Sequence, residues 1–241
     1  MFIYSVGFTT LSYIPMDKNA GKDPLMEKLK VTALMKTPFV TGGGYMTFDA
    51  LLAGILFDQL QDVDLAHSSV PIKCSQGLFH ASAAIYESLD KSRIAFVANL
   101  RAEHSLHFDQ IQKNKAGDGL HRRLGRTRRG DYGAVMNSYD SHFAEKVEWY
   151  VEGDADAIRA LVEPVLFIGK RRASGFGEVS RWEIQESDMD GLVGMLDEPL
   201  RPIPVELFKG DPNSIKVEAA WRPAYWDLNH REICFAPDFS I

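Results

Sequence analysis

IGKRRASGFGEV, residues 168–179, is the stretch on which the reading of this chain turns. Lys170, Arg171 and Arg172 stand together between Gly169 and the pair Gly175 and Gly177, with Phe176 between those two glycines. Three glycines let a backbone take positive φ and come close to a ligand, while exposed N–H groups and three cations face whatever lies there; phosphate is the natural guest. Two familiar phosphate motifs do not fit. A Walker loop ends in Gly-Lys-Ser/Thr, whereas Lys170 follows the first glycine, and the dinucleotide pattern GxGxxG fails at Ser180. A glycine-rich turn carrying surface charge remains the plainer alternative.

Working outward, the loop follows the apolar run Val162 to Ile168, which closes an expected helix from Asp154 to Leu166 with Asp154 as N-cap. It precedes a strand-like alternation from Glu178 to Gln185. Upstream, Leu29 to Lys36 alternates as a strand and Phe48 to Val63 carries Leu51, Leu52, Ile55, Leu56 and Leu60 at helical spacing. Ile72 to Glu87 reads as one or two strands, Arg93 to Leu100 as another, and Ala144 to Glu152 as a strand with Val147, Trp149 and Val151 on one face. The order β-α-β-β-α-β is that of an α+β, ferredoxin-like (RRM-like) domain over residues 26–186. After an acidic, proline-containing connection, strands are expected at Ile203 to Phe208, Ile215 to Trp221 and Ile233 to Phe235, making residues 187–241 a β-rich appendage. Residues 1–25 read as an N-terminal extension.

Charge is unevenly spread. The 241 residues hold 27 basic and 33 acidic side chains, net −6. Lys113, Lys115, Arg122, Arg123, Arg126, Arg128 and Arg129, with Asp118 alone opposing them, give residues 113–130 a net +6 and leave −12 on the rest. Like charges at this density repel unless an anion sits among them, and the glycines there predict a loop, spanning 113–133, that orders on a polyanion.

Composition excludes other classes. At 45% hydrophobic and 25% charged the chain is of ordinary globular make-up, long enough to build a core without staples. The longest apolar run, Ala50 to Phe57, is too short to cross a bilayer. Cys74 and Cys234 lack zinc-ligand spacing; both read as buried apolar residues in a reducing, cytoplasmic setting.

With these features in place the chain resembles the RAMP superfamily of RNA-binding proteins, and within it the small RAMP subunit of type IV CRISPR effector complexes. The resemblance rests on the glycine-rich loop after the second helix, on LKVTALMKTPFV (29–40), LFHASAAIYE (78–87), RRGDYGAVMNSYD (128–140) and WRPAYW (221–226), and runs from Met26 to Pro237. It implies a non-catalytic subunit that caps the 5′ handle of the crRNA, touches the backbone subunit and the large subunit, and lies near target DNA, with an accessory helicase among the system's partners. No cofactor, metal or membrane is implied. Lys170, Arg171, Arg172, Gly175, Phe176 and Gly177 would then hold RNA, with Arg122, Arg123, Arg126, Arg128 and Arg129 laid along it as a thumb. Arginine suits both tasks, gripping phosphate with its planar fork and stacking on unpaired bases. Tyr132, Tyr139 and Phe176 are candidate stacking surfaces or plain packing.

The enzyme alternative is a metal-independent ribonuclease that cuts CRISPR repeat RNA. His80, His104, His107, His121 and His142 are its candidate acids and bases, and no spacing singles one out. Asp58, Asp62 and Asp64 read as a solvated surface at a helix end rather than a cation site, and GxSxG is absent. A DNA-binding regulator would want a basic recognition helix, but the basic residues lie in glycine-broken loops.

Overall fold

The computed structural model describes residues 25–42, 44–98 and 135–238. It is mixed α+β with antiparallel sheets. The central sheet has the order β7-β1-β8, where β1 is Met26–Met35, β7 Lys146–Asp154 and β8 Val179–Glu186. Period-2 alternation puts Val147, Trp149 and Val151 on one face of β7, as expected, against Leu29, Val31 and Ala33 of β1, all buried. The free edge of β7 is bridged by residues 80–85: Ser82 N–H donates to Tyr150 O (2.8 Å), and Ile85 exchanges bonds with Glu148 (2.9 Å each).

Two elements cover the inner face. Helix α1 (Phe48–Leu60) buries Phe48, Leu52 and Leu56, and Trp149 donates its indole N–H to Met46 O at 3.0 Å beside Phe48. Helix α3 (Ala155–Val162) starts where expected, with Asp154 accepting from Ala157 N–H at 3.0 Å, but stops four residues early. Pro164 cannot continue the hydrogen-bond ladder. The helix expected to reach Val63 ends at Leu60; Gln61 turns left-handed, and Asp62 caps a separate helix α2 (Val63–Ser68) through Leu65 N–H.

A second sheet, β2-β6-β5, stands apart. Its long members, β5 (Asp90–Ala98) and β6 (Val135–Phe143), pair over nine positions, from Asp90 opposite Phe143 to Ala98 opposite Val135. The short β2 (Phe39–Val40) holds the Phe143 end through His142 and Ser141. The described part of the strand expected at Arg93 to Leu100, up to Ala98, therefore belongs to this ribbon and not to the central sheet. Within 72–87 lie only the two-residue strands β3 (Cys74–Ser75) and β4 (Leu78–Phe79), followed by the bridged segment. Cys74 is exposed, against expectation, because it lies in that tight hairpin; Cys234 is buried, and burial pushes its thiol up to about 11.

The C-terminal residues form a third sheet, β10-β11-β9: β9 Ile203–Pro204, β10 Lys216–Ala220 and β11 Arg231–Phe235. Its apolar cluster joins Ile203, Trp221 and Cys234 to Leu78. The strand expected to reach Phe208 ends at Pro204, where the chain turns. Arg201, fully buried, ties this sheet to the core. Its guanidinium donates to Asp49 Oδ1 (3.1 Å), Phe79 O (2.7 Å), Ala81 O (3.1 Å), Trp221 O (2.9 Å) and Tyr225 Oη (2.8 Å), and Tyr225 in turn donates to Asp49. Among the described residues no helix is long and apolar enough to cross a membrane.

Candidate nucleic-acid interface

The glycine-rich loop is seated on the turn between β1 and β2. Gly177 N–H donates to Pro38 O (2.8 Å), Ile168 N–H to Gly177 O (2.9 Å) and Lys170 N–H to Val40 O (2.9 Å). Thr37 fastens the other side, its hydroxyl donating to Gly175 O (3.0 Å) and accepting from Glu178 N–H (2.9 Å). Gly177 is buried with φ +79°, and a Cβ there would overlap Ile168 O. Its lack of a side chain serves the chain's own crossing. Gly175, by contrast, is exposed and has open space where a Cβ would project.

Between these anchors the three cations part company. Arg171, at φ +60°, turns inward and lays its guanidinium across two rings of the ribbon, 4.4 Å from the Phe96 centroid and 4.8 Å from that of Tyr139. One of its N–H groups donates to Tyr139 Oη at 3.0 Å. Such a stack contributes about 0.5–2 kcal/mol and fixes the plane of the guanidinium. Phe96 and Tyr139 are diagonal neighbours on one face of the β5–β6 pair, their centroids 6.2 Å apart, and Phe176 meets Phe96 edge-on at 6.1 Å. Lys170 lies against Gly42, and Arg172 has no ring contact among the described residues. Lys170 Nζ passes 5.9 Å from the Tyr139 ring, both side chains are exposed, and neither forms an ion pair among the described residues.

Tyr139 and Phe176, named from sequence as stacking candidates, are thus brought together with Arg171, while Phe96 was missed. Its signal was the alternation of Ile94 and Phe96 in RIAFVANL, which marks them as one face of a strand. Arg122, Arg123, Arg126, Arg128 and Arg129, with Tyr132, His104, His107 and His121, lie outside the described residues.

The two described histidines of the catalytic alternative are engaged in packing. His142 pairs with Ser88 Oγ (3.2 Å) and packs on Phe39 and Tyr86; burial, helped by Lys91, holds its pKa below the ordinary value. His80 lies at the opposite edge of the central sheet from β8. Its Nε2 meets Ser75 Oγ at 3.0 Å, and its Nδ1 stands 3.2 Å from Glu152 and 3.8 Å from Asp190, off the line of a good hydrogen bond. Burial is the main cause that lowers its pKa. His80, Glu152 and Asp190 are the donor set that could hold a divalent cation. As it stands, Lys73 on the second Glu152 oxygen (2.8 Å) makes the cluster a charge-paired hub that fastens the β3–β4 hairpin to β7.

Residues 78–237, well over half of the chain, match the family model of the CRISPR type IV associated protein Csf3. The chain belongs to the Csf3 family. No curated protein matches closely enough to count as a relative. The Csf3 match spans the ribbon, the glycine-rich loop and the C-terminal sheet, and its first residue, Leu78, opens β4. As a Csf3-family member the chain is a type IV CRISPR-associated subunit, in keeping with the resemblance drawn from the glycine-rich loop and its flanking stretches.

Proposed function

We propose that this chain is the RAMP-type, non-catalytic subunit that caps the 5′ handle of the crRNA in a type IV complex. On this reading it contacts the backbone and large subunits, with target DNA nearby and an accessory helicase acting on the assembly. The observation that carries the proposal is the pair of exposed cations Lys170 and Arg172, unneutralised among the described residues, flanking an Arg171 that the ribbon holds rigidly in place. A rigid loop presenting two such cations, backbone N–H groups and an aromatic edge from Phe176 is suited to phosphates and unpaired bases. Family membership supports an assembly partner of this kind. On the same reading Arg122, Arg123, Arg126, Arg128 and Arg129 contact the RNA as a thumb. Residues 80–85 act as the irregular second strand of a ferredoxin-like sheet, with 187–241 as its appendage and 1–25 as an extension. The setting is cytoplasmic.

The test is fluorescence anisotropy with the full chain and a guide RNA carrying its 5′ handle, titrated over a range of salt. Replacing Lys170 and Arg172 with alanine should weaken binding and reduce the salt slope by about 1.4, some 0.7 for each single-stranded phosphate that is no longer neutralised. An unchanged affinity and slope would remove the loop from the interface. Cleavage of the repeat in metal-free buffer would replace the capping role with the ribonuclease alternative.

A further inference from the structure

Helix α1 is apolar on more than its core face. Ala50, Ala53 and Gly54 form the floor of a groove of about 370 Å³, walled by Phe57, Val63 of α2 and Trp226 of the C-terminal region. A helix apolar all round is ordinarily buried all round. Here the outer side meets no covering element among the described residues: Trp226 is 71% exposed, and Leu228 beside it is 79% exposed. The His67 ring, 6.1 Å from that of Trp226, borders the same groove.

The chain here is acidic. Residues 48–72 contain four aspartates and no lysine or arginine. Asp49 is consumed by Arg201 in the core, but Asp58, Asp62 and Asp64 are exposed, and Asp58 and Asp64 form no ion pair among the described residues. On the Trp226 side, Arg222 and His230 offset Asp227. Carboxylates next to an apolar groove disfavour nucleic acid and favour a cationic partner.

We infer that this groove is a protein-docking site for an amphipathic helix of another subunit of the complex, one that inserts bulky apolar side chains between α1, α2 and Trp226 and sets lysines or arginines against Asp58 and Asp64. The inference rests on the chain being a complex subunit. The groove has room for a few large side chains, and its small-residue floor allows a helix to approach closely. This is the helix-in-groove mode, with apolar anchors for affinity and flanking charges for register.

The test places a photo-crosslinking amino acid at Phe57 in the full chain, assembled with its type IV partner subunits and guide RNA, and maps the adducts by mass spectrometry. The expected adduct lies on a helical segment of another subunit with basic residues flanking an apolar stripe. Gly54→Leu fills the groove where a Cβ has open space and favours the helix, so the variant should fold normally yet lose the adduct about tenfold. Asp58→Lys together with Asp64→Lys should also reduce it, with the fold preserved. Adducts to RNA or to a second copy of this chain, no protein adduct, or an adduct unaffected by Gly54→Leu would each overturn the inference. Guide RNA retention by the isolated full chain, read in parallel, should be unchanged by Gly54→Leu. Failure of the parent chain to retain RNA, with the subunit adduct intact, would defeat the capping role and leave the docking site standing.

Discussion

Replacing Arg201 with methionine tests whether one buried guanidinium holds the C-terminal sheet to the core. The side chain is fully buried and makes five hydrogen bonds, two to Asp49 and Tyr225 and three to the carbonyls of Phe79, Ala81 and Trp221. Methionine fills much of the volume, so the cost is electrostatic. It leaves Asp49 as a buried carboxylate whose remaining side-chain donor is Tyr225, and it strips three carbonyls of a donor. Removing one partner of a buried ion pair costs about 3–5 kcal/mol. The retained Tyr225 bond places the expected loss near 4 kcal/mol, a fall in melting temperature of roughly 10 °C for a chain this size. Urea unfolding followed by circular dichroism measures it. Adding Asp49→Leu removes the orphaned charge and should return about half of the loss, since uncharged, well-packed replacements of a buried pair are tolerated. A single-variant loss below about 1 kcal/mol, or a double variant no more stable than the single, would refute the reasoning.

Two other outcomes follow from the geometry. Gly177→Ala sets a Cβ against Ile168 O at a left-handed φ; the loop should yield, with lower stability and weaker RNA retention together, whereas Gly175→Ala, at a left-handed φ too but with open space for the Cβ, should affect both less. Undiminished RNA retention in Gly177→Ala would detach the loop's geometry from its role. His80 and His142 are both held below the ordinary imidazole value of 6.5, burial being the main cause. The unfolded chain therefore binds protons that the folded chain does not, and stability should fall as pH drops below about 6.5. The lowered Glu148 pKa, held down by Lys146 and Lys30 against burial, acts only below its ordinary 4.5 and leaves that window to the histidines. A melting temperature constant between about pH 7.5 and 5.5 would contradict this, and His80→Gln with His142→Gln should flatten the curve.

Much of the frame was legible in the sequence because it follows from periodicity. Val147, Trp149 and Val151 declare the buried face of β7, Asp154 declares a helix start, and glycines around three cations declare an exposed turn. The ribbon was half missed. VMNSYDSHF carries no apolar alternation, since β6 is stabilised by its pairing with β5 and by Arg171 rather than by a buried face. Helix α2 hid inside the acidic run because Asp62 looked like surface charge when it is a cap. Arg201 gave no signal at all: an arginine between prolines reads as solvated, and only the meeting of Asp49, Phe79, Ala81, Trp221 and Tyr225 explains its burial. In the site, the loop was visible but its division of labour was not, because which cation turns inward depends on the rings of Phe96 and Tyr139, 75 and 32 residues earlier in the chain.

The β5–β6 ribbon has a mechanical consequence. Nine paired positions at ~3.4 Å each make a beam about 30 Å long, clamped at one end by Phe39, Tyr86 and His142. Arg171 bears on it partway along, at Phe96 and Tyr139. A beam fixed at its root and resting on such a bearing cannot bend at the tip without loading the bearing. Force applied at the Ala98 and Val135 end is delivered as torque to Arg171, and through the backbone to Lys170 and Arg172 on either side of it. The stiffness of two strands thereby sets how much a load at the far end is felt in the loop.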